Sequence, residues 1–281
     1  MMRDCFSLNI NGRLLRLERP QVMGILNVTP DSFFGESRVG NGEIVSRVRA
    51  MLNEGADIID VGACSTRPGS IPASEKEELE RLHRALDVID AEFPEVVVSV
   101  DTFRAAVVRE CVSRHNVAII NDVSACGWDD AMIDAVAEVR LPYILTHSVG
   151  AAGTLPEYKE FMPEVMLSLS KVLWELRGRG VADVIIDPGF GFGKSVEQNF
   201  AMLAHLREFS ILEAPVLVGL SRKSMITKVL RIGAAQALGG TTALNMAALM
   251  NGAHFLRVHD VRAAVEVVKL YQQMRSSVEI K

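Results

Sequence analysis

The chain has 281 residues, 49% of them hydrophobic and 23% charged, with a formal net charge of -5; this is the make-up of a globular protein that can bury a large core. The acidic balance argues against a nucleic-acid binder, which usually presents a basic face, and no apolar run reaches membrane-spanning length. Cys5, Cys64, Cys111 and Cys126 have no C-x-x-C spacing and no paired histidines, so neither a disulfide framework nor a zinc site is expected.

The start, Met1-Met2-Arg3-Asp4-Cys5, lacks the long apolar core of a signal peptide, and the expected location is cytoplasmic. Residues 6–17 alternate polar and apolar around Asn11-Gly12, a strong hairpin signal, so residues 1–19 are read as a short β-hairpin covering one end of the core. Val22-Met23-Gly24-Ile25-Leu26-Asn27 is the first buried strand. A turn-rich loop over 28–35 leads from it to a helix at about 42–54.

The pattern then repeats. Ile58-Ile59-Asp60-Val61, Val96-Val97-Val98-Ser99-Val100, Val117-Ala118-Ile119-Ile120, Tyr143-Ile144-Leu145, Val184-Ile185-Ile186, Val216-Leu217-Val218 and Phe255-Leu256-Arg257-Val258 are short apolar strands. Segments of helical periodicity separate them, among them 75–92, 104–114 and 196–209. Eight strands alternating with helices predict an α/β fold, a (β/α)8 TIM barrel over residues 20–281 following the hairpin, in one domain of residues 1–281. Glu75-Lys76-Glu77-Glu78 reads as a solvated first helical turn. The stretch rich in small residues at 232–249 predicts an extra helix after the seventh strand, with a packing face that could serve a subunit interface.

In such a barrel the functional groups lie at the carboxyl ends of the strands. There the sequence has Asn27, then Ser65-Thr66-Arg67-Pro68-Gly69, Asp101-Thr102, Asn121-Asp122 and Thr146-His147-Ser148. These are followed by Asp187-Pro188-Gly189-Phe190-Gly191-Phe192-Gly193-Lys194, Ser221-Arg222-Lys223-Ser224, and Arg257 with His259. Any one of these reads equally well as a helix cap or turn residue. Together they supply two chemistries. Asp101, Asn121 and Asp187 are acceptors suited to the N–H edge of a flat heterocycle. Arg67, Arg257 and His259, with Asn27 and Thr66, suit a phosphate or pyrophosphate. Lys223 and Ser224, where a strand gives way to a helix, suit a second anion.

These strand-end motifs, together with Met23-Gly24-Ile25-Leu26-Asn27-Val28-Thr29-Pro30-Asp31-Ser32-Phe33, Asn121-Asp122-Val123 and Arg257-Val258-His259-Asp260, closely resemble dihydropteroate synthase, in order over about residues 21–275. The resemblance implies an enzyme of folate biosynthesis. It would condense 6-hydroxymethyl-7,8-dihydropterin diphosphate with p-aminobenzoate by an SN1-like displacement, giving 7,8-dihydropteroate and pyrophosphate, and sulfonamides would compete with p-aminobenzoate. Carried over by residue, Asp101, Asn121, Asp187 and Lys223 would hold the pterin; Asn27, Thr66, Arg67, Arg257 and His259 the diphosphate; and Pro68, Phe192, Lys223 and Ser224 the p-aminobenzoate. Mg2+ would be bound by the diphosphate and Asn27. Arg67, Lys223, Arg257, His259 and Asp101 would form the catalytic set, and a homodimer is expected.

The chain departs from the family pattern at Ala63-Cys64 and at Thr146-His147-Ser148, and Cys64, His147 and Ser148 receive no role. The loop over 148–156 is short. The first two βα loops, long and rich in Gly, Pro and Ser, are expected to close over the site once pyrophosphate is in place. Two other readings share part of the pattern: a pterin-dependent corrinoid methyltransferase, which would lack the Ser-Thr-Arg-Pro-Gly and Ser-Arg-Lys-Ser loops, and a non-catalytic pterin-binding protein, which would lack the anion cluster.

Overall fold

The computed structural model describes residues 6–29, 37–64, 72–148 and 158–278. Strands β1 (Ser7–Ile10) and β2 (Arg13–Arg16) are followed by β3 (Gln21–Asn27), α1 (Ser37–Glu54), β4 (Ile58–Gly62), α2 (Glu75–Glu92), β5 (Val97–Asp101), α3 (Ala105–Arg114), β6 (Val117–Asp122) and α4 (Met132–Val139). The second half adds β7 (Tyr143–Thr146), α5 (Tyr158–Gly178), β8 (Val184–Asp187), α6 (Val196–Ala204), β9 (Leu217–Val218), α7 (Ser224–Leu230), α8 (Leu238–Met250), β10 (Phe255–Val258) and α9 (Val261–Val278). The eight strands β3 to β10 form one parallel sheet in the order β8-β7-β6-β5-β4-β3-β10-β9. A parallel bridge between Ile186 and Val216 joins its two ends, so the sheet closes into the expected barrel.

Period-two alternation along each strand sorts its side chains between two cores. Val22, Leu26, Val61, Val100, Ile120, Ile186 and Val218 face outward and pack with helix residues such as Leu82, Leu86, Val108, Phe161 and Phe209. Met23, Ile58, Ile119, Ile144, Ile185, Leu217 and Phe255 face inward at the amino ends of the strands. The hairpin seals that end. Asn11 (φ 47°) and Gly12 (φ 80°) turn the chain as the two-residue loop requires, and Leu8, Ile10 and Leu17 join the inner cluster. One pleat further along, the inward positions become polar: Asp60, Ser99, Asp101, Asn121, Thr146, Asp187 and Arg257. Apolar floor and polar mouth therefore follow from one alternation read along parallel strands.

Some expected boundaries differ. α1 begins at Ser37, earlier than the expected 42, and β9 shrinks to two residues. The helix expected over 196–209 ends at Ala204 and gives way to a 3-10 segment, Leu206–Leu212. Its buried residues, Leu206, Phe209 and Leu212, recur every third position, which matches three residues per turn. The extra helix exists as α8. The acidic run is not wholly solvated: Ser74 and Glu77 form a capping box at the start of α2, but Glu78 is fully buried. It takes the guanidinium of Arg104, which also donates to the Ala73 carbonyl at 2.6 Å.

Candidate active site

Closure of the barrel brings β10 beside β3, with β4, β5 and β6 next in line, and the polar mouth is built from their inward residues. Arg257 donates from Nε to Asp60 Oδ2 at 2.6 Å and from Nη2 to Asp101 Oδ2 at 2.5 Å. Asn121 Nδ2 donates to the same Asp60 carboxylate at 3.1 and 3.3 Å. Asp60 is fully buried, and Asn121 nearly so. Asp101 keeps part of its surface open, and Gly62 leaves room beside it; a Cβ there would lie 3.4 Å from the Asp101 Cβ and 3.6 Å from the Asn27 amide oxygen. Asn27, Asp101 and Asn121 thus lie at the carboxyl ends of β3, β5 and β6, around one opening.

Asp187 ends β8 and bends the chain by accepting the Gly189 N–H at 2.8 Å. Gly189 has φ +73°, and a Cβ on it would fall 1.8 Å from the His147 carbonyl oxygen, so the loop presses directly on the end of β7 and no other residue fits. The loop is tied from both flanks. Asn199, inside α6, accepts the Gly191 N–H at 2.7 Å. The Lys223 ammonium donates to the Phe190 carbonyl and lies 4.9 Å from the centre of the Phe192 ring. Phe192, Lys223 and exposed Ser224, the first residue of α7, therefore line one side of the mouth.

His259 follows β10 and faces Ser221, with Nδ1 and Oγ 2.9 Å apart. Beside it, Arg222 makes a two-point pair with Asp260 at 2.9 and 2.7 Å, which locks the β9 loop to the β10 loop. Thr66, Arg67 and Pro68 lie outside the described residues. Among the described residues no three His, Cys, Asp or Glu side chains converge to hold a metal by themselves. A hard cation carried by diphosphate oxygens, with the Asn27 amide oxygen as the protein's donor, fits this donor set.

The mouth carries Asp60, Asp101 and Asp187 with Arg257 and Lys223, and Lys194 acts on Asp187 from behind the glycine loop. Burial raises the Asp101 carboxyl to about 7, with Arg257 opposing and Asp60 adding to the rise. Burial also raises Asp187, against the pull of Lys223. Burial lowers Lys223 to about 8 despite Asp187. For Arg257 the cost of burial is outweighed by Asp60 and Asp101, and it stays charged.

Three residues have no role in the sequence reading. Asp60 belongs to an apolar strand there, although an acid two positions after Ile58 on an inward face is the available signal. Ser221 holds His259, and Lys194 donates into the Asp187 loop. The separation into an acceptor cluster and an anion cluster is also less clean than expected, because Arg257 spans to Asp60 and Asp101. Asp122 points away from the mouth: it accepts the Ser124 and Cys126 N–H groups at 2.7 and 2.8 Å and the Tyr143 hydroxyl at 2.6 Å, a loop-building role. Cys64, Cys111 and Cys126 are unpaired, and burial lowers His147 to about 3, so it is neutral.

Comparison with known proteins agrees with this geometry. Residues 23–259 match the family model described as "Pterin binding enzyme". The dihydropteroate synthase of Escherichia coli (strain K12) is 41% identical over 276 residues, covering 96% of this chain and 97% of that protein. Among solved structures, Xanthomonas albilineans dihydropteroate synthase with 4-aminobenzoic acid superposes with a TM-score of 0.87 at 38% identity, covering 96% of this chain and 98% of that one. The Yersinia pestis dihydropteroate synthase with a sulfonamide drug complex gives a TM-score of 0.86 at 37% identity, covering 96% and 100%. The chain belongs to the dihydropteroate synthases, a family of pterin-binding enzymes.

Proposed function

We propose that the polar mouth of this barrel joins 6-hydroxymethyl-7,8-dihydropterin diphosphate to p-aminobenzoate, with the residues acting as follows. Asp101, Asn121 and Asp187 accept hydrogen bonds from the N–H edge of the pterin, a pairing in which charge-assisted bonds fix orientation as well as affinity. Lys223 donates to the ring's acceptor side. Arg67, Arg257 and His259, with Thr66 and Asn27, receive the diphosphate. The diphosphate would carry Mg2+ with Asn27 as a ligand; when bound, the cation adds positive charge next to the leaving oxygens.

The bond between the pterin methylene carbon and the diphosphate oxygen breaks first. The electron pair leaves with pyrophosphate, whose growing charge Arg67, Arg257 and His259 stabilise. The methylene cation is conjugated with the dihydropterin ring and lies near carboxylates that favour it. The amine of p-aminobenzoate, held against Pro68 and Phe192 with its carboxylate at Ser224, then forms the new C–N bond and releases one proton. An aniline attacking a cation needs no general base at the bond-forming step. The observation that carries this reading is the acceptor-rich ring of Asp60, Asp101, Asn121 and Asp187 beside two cationic side chains.

The test is direct. Protein, pterin diphosphate, Mg2+ and labelled p-aminobenzoate are incubated together and dihydropteroate is measured; a folded sample that forms no product overturns the proposal. Sulfonamide competition against p-aminobenzoate is expected in the same assay. A cytoplasmic location and a homodimer belong to the same proposal. The thiols at Cys64, Cys111 and Cys126 suit a reducing compartment, and exposed Val229, Leu230 and Leu238 on α7 and α8 suit a subunit contact, tested by sedimentation.

A further inference from the structure

Lys194 closes the glycine loop, and neither the anion cluster nor the acceptor ring uses it. Its ammonium donates to three carbonyl oxygens, those of Gly189 at 2.8 Å, His147 at 3.1 Å and Phe192 at 3.2 Å. A charged ammonium has three protons, so this is its full complement, and none remains for a ligand; burial lowers Lys194 to about 7, with Asp187 opposing. Two of the carbonyls belong to the loop itself and the third to the end of β7. The lysine therefore cross-links the loop to the neighbouring strand at the point where Gly189 is pressed against His147.

The carbonyls of the same loop divide between two lysines. Gly189 and Phe192 turn theirs toward Lys194, whereas Phe190 turns its carbonyl toward Lys223. That division places the Phe192 ring beside the Lys223 ammonium. Without Lys194, the His147 and Phe192 carbonyls would lose this donor and Gly189 would keep only the Phe192 N–H at 3.2 Å, a loss that peptide groups avoid by rotating toward water. Rotation at Phe192 would swing its ring away from Lys223. Asn199 is a second, independent brace, since it accepts from Gly191 at 2.7 Å while donating to the Lys194 carbonyl at 3.2 Å.

We propose that Lys194 is a positioning residue of the synthase reaction: by gathering the Gly189, Phe192 and His147 carbonyls it sets the loop conformation that holds the Phe192 ring, the part of this wall assigned to p-aminobenzoate alone. This rests on the reading of the site under Proposed function. A misplacement of the wall by even an ångström is costly to reaction without abolishing binding of the other substrate. The effect is therefore selective between the two substrates.

Steady-state kinetics test it on Lys194→Met, which keeps length and apolar bulk but removes the three donors, and on Asn199→Ala. Leu169→Ala in α5, remote from the mouth, serves as a control for lost stability. Lys194→Met is expected to raise KM for p-aminobenzoate by about tenfold and to lower kcat, while KM for pterin diphosphate changes less than about threefold. Asn199→Ala is expected to move the same parameters in the same direction by a smaller factor, and it decides the matter if Lys194→Met does not fold. Equal changes in both KM values, or kinetics that match the Leu169→Ala control at similar melting temperature, would overturn the proposal. Absence of product with the unaltered protein would instead remove the underlying functional reading.

Discussion

Asp60 Oδ2 accepts the Arg257 Nε–H at 2.6 Å across the barrel mouth, although 197 residues separate the two in the chain. The acid is fully buried and the guanidinium mostly so, and Arg257 is shared with Asp101. Removing one member of such a pair leaves a desolvated charge. Asp60→Ala is expected to lower stability by about 3–5 kcal/mol, and Asp60→Asn, which can still accept, by less. Urea unfolding measures both. Asp60→Ala should also weaken pterin binding, because Asn121 loses the partner that orients its amide.

Burial of Asp101 makes the site sensitive to pH. Asp101 has its carboxyl raised from 3.8 to about 7, first by burial. Between those values the folded protein keeps a proton that the unfolded chain releases, so this group's contribution to stability falls as pH rises from 3.8 to about 7. Asp101→Asn should flatten that part of the stability profile. A pterin that donates to Asp101 selects the carboxylate, so its binding should release a proton and tighten as pH approaches 7. Calorimetry in buffers of different ionisation enthalpy reads the proton count; no release would contradict the assignment.

Gly189 meets the His147 carbonyl so closely that a methyl group cannot be placed there, and its φ of +73° disfavours any side chain. Gly189→Ala is expected to cost at least about 1–2 kcal/mol from the backbone conformation alone and to reduce turnover by displacing the loop. Gly178→Ala is the comparison. It ends α5 with open space around it, so the change should be neutral or stabilising by up to about 1 kcal/mol. Thermal melts of the pair separate a local steric requirement from a general intolerance of alanine.

Arg67 belongs to the second βα loop, beyond the described residues. If it receives the leaving diphosphate, Arg67→Ala should lower kcat by roughly 10²–10³ with an unchanged melting temperature, the loss typical of one charge-stabilising donor. Near-normal kinetics would remove it from the diphosphate group.

Much of this molecule could be read without coordinates. The strand–helix alternation, the hairpin at Asn11-Gly12 and the strand-end motifs carrying Asn27, Asp101, Asn121, Asp187, Lys223 and Arg257 are all local patterns. Local patterns survive translation into structure because strand pleat and loop position are decided within a few residues. Two other features were not legible. Glu78 looked like a solvated first-turn acid until α3 brought Arg104 to it, and the break after Ala204 depended on which side of Leu206, Phe209 and Leu212 met the core.

The amino-acid order by itself determined the barrel and which residues stand at its open end. Tertiary structure alone decided which of them touch. Pairing of β10 with β3 brings Arg257 past β3 to Asp60 and Asp101, and pairing of β8 with β7 lets Lys194 reach the end of β7. Such contacts depend on the register between distant strands and on the balance of buried charge. Neither quantity is encoded within any single stretch of chain; both arise when the sheet closes and excludes water from its mouth.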